Sequence, residues 1–236
     1  MIIDTHCHLD MFPDPLGEAK VRERNKLLTI SMTNLPSHFE LGYNYLLSFR
    51  HVRMALGLHP LRATDHKKES SLFSKLLDKT SYIGEIGLDF SKEGISTKDI
   101  QIKSFDFVLE SIKNKSKIVS LHSRRAEKEI LEMLIEKRID NVIFHWYSGS
   151  LSILKKIVDC GFYFSINSAM IQSENGRKII DKIPKSLILT ETDAPFIENS
   201  SIKKTLEYLS SIWVVPTLEV ELIIQENFNR LLQKIR

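Results

Sequence analysis

An α/β chain folded as a (β/α)₈ barrel of one domain spanning residues 1–236 is what this sequence predicts. Three observations lead there. Eight short apolar runs with strand character alternate with segments of helical periodicity, which implies a parallel sheet, and eight such units are the number that closes a barrel. The chain is 236 residues long, a routine size for such a barrel. The segment after the first run reads HCHLD, whereas a doubly wound open sheet would place a glycine-rich phosphate loop there.

In order, the expected strands are 2–6, 27–32, 52–58, 82–86, 117–121, 141–145, 161–166 and 187–190. The clearest helices lie at 98–113, where Ile102, Phe105, Val108, Leu109 and Ile112 recur at helical spacing, and at 125–138, with Ile130, Met133 and Leu134 on one face. A long amphipathic helix over 217–235 starts at Pro216 and Thr217, as proline at a first helical turn favours. The stretch 199–204 (NSSIKK) is the most loop-like and is a candidate lid. No internal repeat, linker or low-complexity tract breaks the pattern.

Composition excludes several classes. Hydrophobic residues at 42% and charged residues at 27% suit a globular protein with a real core. A net charge of +3 permits an anionic substrate, without the dense basic stripe of a dedicated duplex-binding protein. No secretory signal pattern and no membrane-spanning run is visible, so a cytoplasmic protein without membrane association is expected. The two cysteines, Cys7 and Cys160, are too few and too far apart for a disulfide framework, and fit a reducing compartment.

Six polar residues stand at the ends of these apolar runs: His6, His8, Glu85, His122, His145 and Asp193. In a parallel barrel all C-terminal strand ends converge on one face, so residues over a hundred positions apart would meet there. All six are good ligands for divalent cations, in about the number a two-metal site needs. His6 and His8 form H-x-H, which a strand's period of two turns to one side. By the same alternation Cys7 faces away and packs. Asp10 reads as a partner behind the ligands or a helix cap.

Glu85, in GEIGLD, is a charge within an apolar strand, costly to bury without a partner. Its carboxylate can bridge two ions. Asp89 closes the same motif as a supporting group. One histidine after an apolar run, such as His122 or His145, is more often a core residue than a ligand; two at equivalent places on successive strands reverse that. Asp193 ends the last strand and suits a carboxylate that touches a metal and takes a proton from the attacking water, which makes Asp193 and Glu85 the candidate catalytic pair. Glu191 is a candidate hydrogen-bond support.

His59, before Pro60, suits contact with a substrate phosphate, as do Arg124 by bidentate hydrogen bonds and Ser148, with Gly149, through hydroxyl and backbone donors. Arg125 reads as a solvated first helical turn. Trp146 and Tyr147 suit base stacking or a pocket wall, with packing expected for at least one. His38, His51 and His66 have no converging partners and receive no role.

The ordered motifs DTHCHLD, ALGLHP, GEIGLD, LHSRRA, FHWYSGS and TETDAPF, over residues 2–197, resemble those of the TatD family of metal-dependent deoxyribonucleases. The resemblance implies an amidohydrolase-superfamily TIM barrel that hydrolyses DNA phosphodiesters, often as a 3′→5′ exonuclease preferring single strands. It also implies divalent metals such as Mg²⁺, Mn²⁺ or Zn²⁺ held by the six residues, His59 on a substrate phosphate, and Asp193 as acid/base.

After TETDAP the chain runs FIENSSIKKTLEYL where the family commonly continues with an arginine- and asparagine-rich segment. That departure, the short MFPDP after HCHLD, RHVRMALGLHP and GFYFSIN resemble the TatD-like component of the Qat anti-phage operon. Its other products would then be partners, and invading DNA a substrate. Two readings of other classes stay open: a metal-dependent amidohydrolase or lactonase acting on a small molecule, and a non-catalytic binding subunit of a defence complex. Against the first, related amidohydrolases often carry a bridging lysine on the fourth strand, where this chain has Glu85.

Overall fold

The computed structural model describes residues 1–235. Eight parallel strands follow the chain in barrel order: β1 Ile3–Cys7, β2 Leu28–Ser31, β3 Val52–Met54, β4 Tyr82–Gly87, β5 Ile118–His122, β6 Val142–His145, β7 Tyr163–Ile166 and β8 Ile188–Thr190. They form a three-stranded sheet, β1-β2-β3, and a five-stranded sheet, β4-β5-β6-β7-β8. Two seams join the sheets. At one, Leu56 pairs with Ile83, the Leu56 N–H donating to the Tyr82 carbonyl at 3.0 Å and the Gly84 N–H to the Leu56 carbonyl at 3.0 Å. At the other, the Thr5 hydroxyl donates to the Thr190 carbonyl at 3.1 Å and the Asp193 N–H to the His6 carbonyl at 2.9 Å.

Among the described residues ten α-helices surround the strands: α1 Pro15–Arg24, α2 Pro36–Leu46, α3 His66–Leu76, α4 Lys98–Ile112, α5 Glu127–Lys137, α6 Leu151–Asp159, α7 Ser168–Gln172, α8 Glu174–Lys182, α9 Ile202–Trp213 and α10 Thr217–Gln233. Their starts follow local chemistry. Asp14 accepts from the Gly17 N–H with Pro15 in the first turn of α1, and Ser150 accepts from the Ile153 N–H at α6, each satisfying a donor the helix leaves free. The buried faces of α4 (Phe105, Val108, Leu109, Ile112), α5 (Ile130, Leu131, Leu134) and α10 (Val220, Ile224, Phe228, Leu231) press on the sheet. Among the described residues no helix is long and apolar enough to cross a membrane.

All eight expected strands form, with two corrections of consequence. β3 ends at Met54 rather than at 58, because Pro60 opens a 3₁₀ turn, Pro60–Asp65, and Leu56 contributes only a single bridge. The candidate lid at 199–204 is only half loop, since α9 begins at Ile202. Ser201 caps α9, its N–H donates to Ser168 Oγ at 3.0 Å, and the Ser200 hydroxyl donates to the Thr192 carbonyl at 2.5 Å. Those bonds pin the segment to the body of the protein.

Candidate metal centre

Glu85 lies at the middle of a cluster at the C-terminal ends of the strands. The backbone around it is unusually close-packed: a Cβ at Gly87, whose φ is +135°, would lie 2.0 Å from the His122 carbonyl oxygen, so only glycine lets β4 approach β5 there. Both oxygens of the buried Glu85 carboxylate are surrounded. Oε2 lies 3.5 Å from His6 Nε2, 3.2 Å from His8 Nε2 and 3.3 Å from His59 Nε2. Oε1 lies 2.7 Å from His122 Nδ1 and 3.2 Å from His145 Nε2. Asp193 Oδ1 stands 3.8 Å from both His6 Nε2 and His8 Nε2. The structure thus brings all six sequence-predicted ligand candidates, and His59, around one carboxylate.

A second layer of residues sets the direction of three of the four rings. His6 Nδ1 and Ser120 Oγ share a hydrogen bond of 2.8 Å, the His122 Nε2–H donates to Asp89 Oδ2 at 2.7 Å, and the His145 Nδ1–H to Glu191 Oε1 at 3.2 Å. Glu191 is itself held by Asn167 Nδ2 at 2.7 Å and by the Ser165 hydroxyl. When protonated, His122 and His145 donate from their inner nitrogens to Glu85; once that proton leaves, the far nitrogen keeps the remaining one and the inner nitrogen offers a lone pair to a cation. Acceptors facing a carboxylate need a positive charge between them, and the imidazole–carboxylate chemistry fits a divalent cation. Donor atoms fall into three overlapping groups, each within 4.8 Å. His8 Nδ1 is buried without a hydrogen-bond partner.

His59 differs. Its Nδ1 accepts the Leu61 N–H at 3.1 Å, which leaves a proton on Nε2, so this ring presents a donor and suits an oxyanion better than a cation. His66, given no role from sequence, supports that turn: its Nε2–H donates to the His59 carbonyl at 2.9 Å. Two other residues set aside find structural partners, His38 pairing with Asp10 at 3.2 Å and His51 with Glu23 at 3.2 Å. Asp10 is therefore directed to His38 rather than behind a ligand ring. Asp89 and Glu191 do stand behind His122 and His145.

Proton affinities report the crowding. Burial opposes charge on His122, but hydrogen bonds to Asp89 and Glu85 outweigh it and raise its pKa to about 8. Burial likewise opposes charge on His145, yet Glu191 and Glu85 hold it well above the ordinary value. His6 is pushed well below it by burial and by the neighbouring His145. Burial favours a neutral Glu85, but His59, His145 and the bond from His122 keep it well below the usual carboxylate range. Asp193 is raised to about 7, chiefly by burial, with Glu85 and Glu191 adding repulsion.

These directions give a prediction for metal uptake. A cation must displace the protons on His122, His145 and Asp193, so divalent-metal affinity is expected to rise with pH by about tenfold per unit per displaced proton, through the Asp193 range near 7 and the His122 range near 8. Competition with a chelator at pH 6.5, 7.5 and 8.5 (about one unit apart, on the scale of a single titration) measures this. A flat profile would mean that these groups do not hold the metal.

The cluster floors a cleft of about 650 Å³, lined also by Met11, Asn34, Leu61, Arg62, Ser123, Arg124, Trp146, Ser148 and Phe196. Arg124 is exposed and donates to Glu93 at 2.8 Å; Ser148, after the neighbouring strand β6, is exposed too. Tyr147 is buried, whereas Trp146 stands in the cleft. Ser120, Arg62 and Met11 escaped the sequence reading: a strand serine carries no signal, and Arg62 faces the cleft only because the HP turn bends back.

Known proteins resemble the chain along nearly its whole length. The family model described as "TatD related DNase" matches residues 3–233. The human deoxyribonuclease TATDN3 is 26% identical over 264 residues, covering 100% of this chain and 96% of that protein. An uncharacterized metal-dependent hydrolase of Methanocaldococcus jannaschii is 26% identical over 244 residues, covering 95% and 94%. Among solved structures, the TatD homolog YJJV of Escherichia coli k12 superposes with a TM-score of 0.86 at 24% identity, covering 98% of this chain and 97% of that one. A TatD family hydrolase of Entamoeba histolytica gives 0.79 at 18%, covering 98% and 97%.

Proposed function

Because the chain belongs to the TatD-related DNases, a family of metal-dependent hydrolases, we propose that it hydrolyses DNA phosphodiester bonds at the Glu85–Asp193 centre. The observation that carries this reading is the Glu85 carboxylate, with His6 and His8 at Oε2 and His122 and His145 at Oε1. A carboxylate flanked on both oxygens suits a bridge between two divalent ions, one held with His6, His8 and Asp193, the other with His122 and His145. The imidazole donors suit Zn²⁺ and the carboxylates Mn²⁺ or Mg²⁺, the three ions the motif resemblance implies. When bound, such ions polarise the phosphoryl oxygens and acidify a water nucleophile.

The chain's own residues do the rest. His59 donates from Nε2 to a phosphate oxygen, and Arg124 and Ser148 hold the strand at the mouth of the cleft. Asp193 takes the proton of the attacking water. The finer parts of the reading are 3′→5′ exonuclease action with a preference for single strands, and cytoplasmic service in anti-phage defence beside other products of one operon. They are supported by the motif resemblance and by two unpaired cysteines.

The test is a nuclease assay with each metal on single-stranded, duplex and 3′-blocked DNA, run beside Asp193→Asn. Wild-type cleavage should fall by about 10²-fold or more in the variant. Cleavage equal in the two would belong to a contaminant. Lactone or amide turnover without DNA cleavage would replace the reading with small-molecule hydrolysis.

A further inference from the structure

Trp146 follows β6 directly, and its backbone sits at φ +39°, a region that bulky residues seldom enter without being forced. The neighbouring residue explains the forcing. Tyr147 turns inward, packs edge-on against Phe144 and Phe164, and donates its hydroxyl to the Ser150 carbonyl at 2.8 Å. Anchoring Tyr147 in the core sends Trp146 the other way, into the cleft, where its indole stands edge-on to His145 with centroids 6.4 Å apart and 38% of the residue exposed. An exposed apolar residue is ordinary by itself. One held out of the core by a strained turn, one ring away from a candidate ligand, is not.

The rest of the cleft divides by strand. Arg62, after β3, and Arg124, after β5, bring guanidinium groups, each oriented by an acid: Arg62 by Asp65 at 2.8 Å and Arg124 by Glu93 at 2.8 Å. Trp146, after β6, and Phe196, after β8, bring exposed aromatic rings, Phe196 standing edge-on to His8 at 4.9 Å. One sector, after β3 and β5, is therefore cationic and the other, after β6 and β8, aromatic.

Resting on the nuclease reading above, we propose that Trp146 determines substrate binding by stacking on the base of the nucleotide next to the scissile phosphate, while Arg62 and Arg124 face the phosphates of the same strand. A base can lie on the indole only when it is unpaired and unstacked from its neighbour, so this residue selects frayed or single-stranded DNA with little preference among the four bases.

The test compares wild type, Trp146→Ala and Trp146→Phe on a single-stranded oligodeoxynucleotide and on the same strand with abasic residues at its last two positions. For the ordinary strand Trp146→Ala is expected to raise KM about tenfold or more with kcat within about twofold, and Trp146→Phe to keep most of the affinity. On the abasic strand all three should behave alike. In a Trp213→Phe background Trp146 is the only indole left, and its fluorescence should be quenched by a phosphorothioate strand but not by the abasic one. Unchanged KM in Trp146→Ala, or an equal loss on abasic DNA, overturns the stacking role while leaving the nuclease reading intact. No cleavage of either strand by wild type with any metal overturns both.

Discussion

Glu85→Gln is expected to abolish metal binding and hydrolysis together. The amide preserves the volume of the carboxylate but removes the charge that His6, His8, His59, His122 and His145 all face. It also points an N–H₂ group at imidazole lone pairs that need a cation. Activity should fall by at least about 10²–10³-fold, the scale of losing a group that stabilises charge in the transition state. Saturating metal at about 100 times Kd stabilises a protein by about 2.7 kcal/mol, which is a Tm rise of roughly 5–10 °C for a chain of this size. Thermal melts with and without metal should show that rise for wild type and none for Glu85→Gln. Metal content by elemental analysis is the independent check, and a variant that retained its metal and its Tm shift would remove Glu85 from the centre.

The second large effect lies away from the cleft. Asp4 and Arg22 form a buried ion pair, Arg22 Nη1 to Asp4 Oδ2 at 2.6 Å, with the two side chains 0% and 6% exposed. Arg22 also donates to Glu18 at 3.0 Å and to Thr29 Oγ1 at 3.3 Å. Asp4 receives the Thr192 N–H at 2.9 Å and the Thr192 hydroxyl at 2.7 Å. One carboxylate thereby joins α1, β1 and the segment carrying Asp193, itself at φ +50°. Asp4→Ala leaves a buried guanidinium without its main partner and should cost about 3–5 kcal/mol, or roughly 6–20 °C in Tm. Adding Arg22→Met should restore part of that stability, because two apolar groups replace an unpaired charge. Denaturant melts decide it: a loss under about 1 kcal/mol for Asp4→Ala would mean that water has access to the pair.

These two sites differ in how far the sequence announced them. Glu85 was conspicuous because a carboxylate in an apolar strand is expensive without a partner, and His122 and His145 because equivalent places on successive strands coincided. Arg22 was invisible. On α1 it reads as one more charge on a polar helix, and its burial follows from Asp4, eighteen residues earlier and on another element. Ser120 behind His6 and His66 behind His59 were equally silent, because a hydrogen bond between distant residues leaves no periodic trace. The 199–204 stretch misled in the opposite sense. Its polar composition suggested a loop, but Ser201 is a helix cap, and serine serves both roles.

The sequence by itself determined the order of eight strands and the residues at their ends, because apolar period and punctuation are local properties. It also determined the chemistry on offer, since imidazole and carboxylate groups at those ends carry their metal affinity with them. Only the tertiary structure decided which nitrogen of His6, His122 and His145 faces Glu85, since Ser120, Asp89 and Glu191 engage the far ones. It likewise decided that His59 presents a donor, that Trp146 points into the cleft while Tyr147 packs, and that Asp4 ties Arg22 to the strand end before Asp193. Ring orientation and proton placement are set by contacts between residues far apart in the chain, and those contacts exist only once the strands have met.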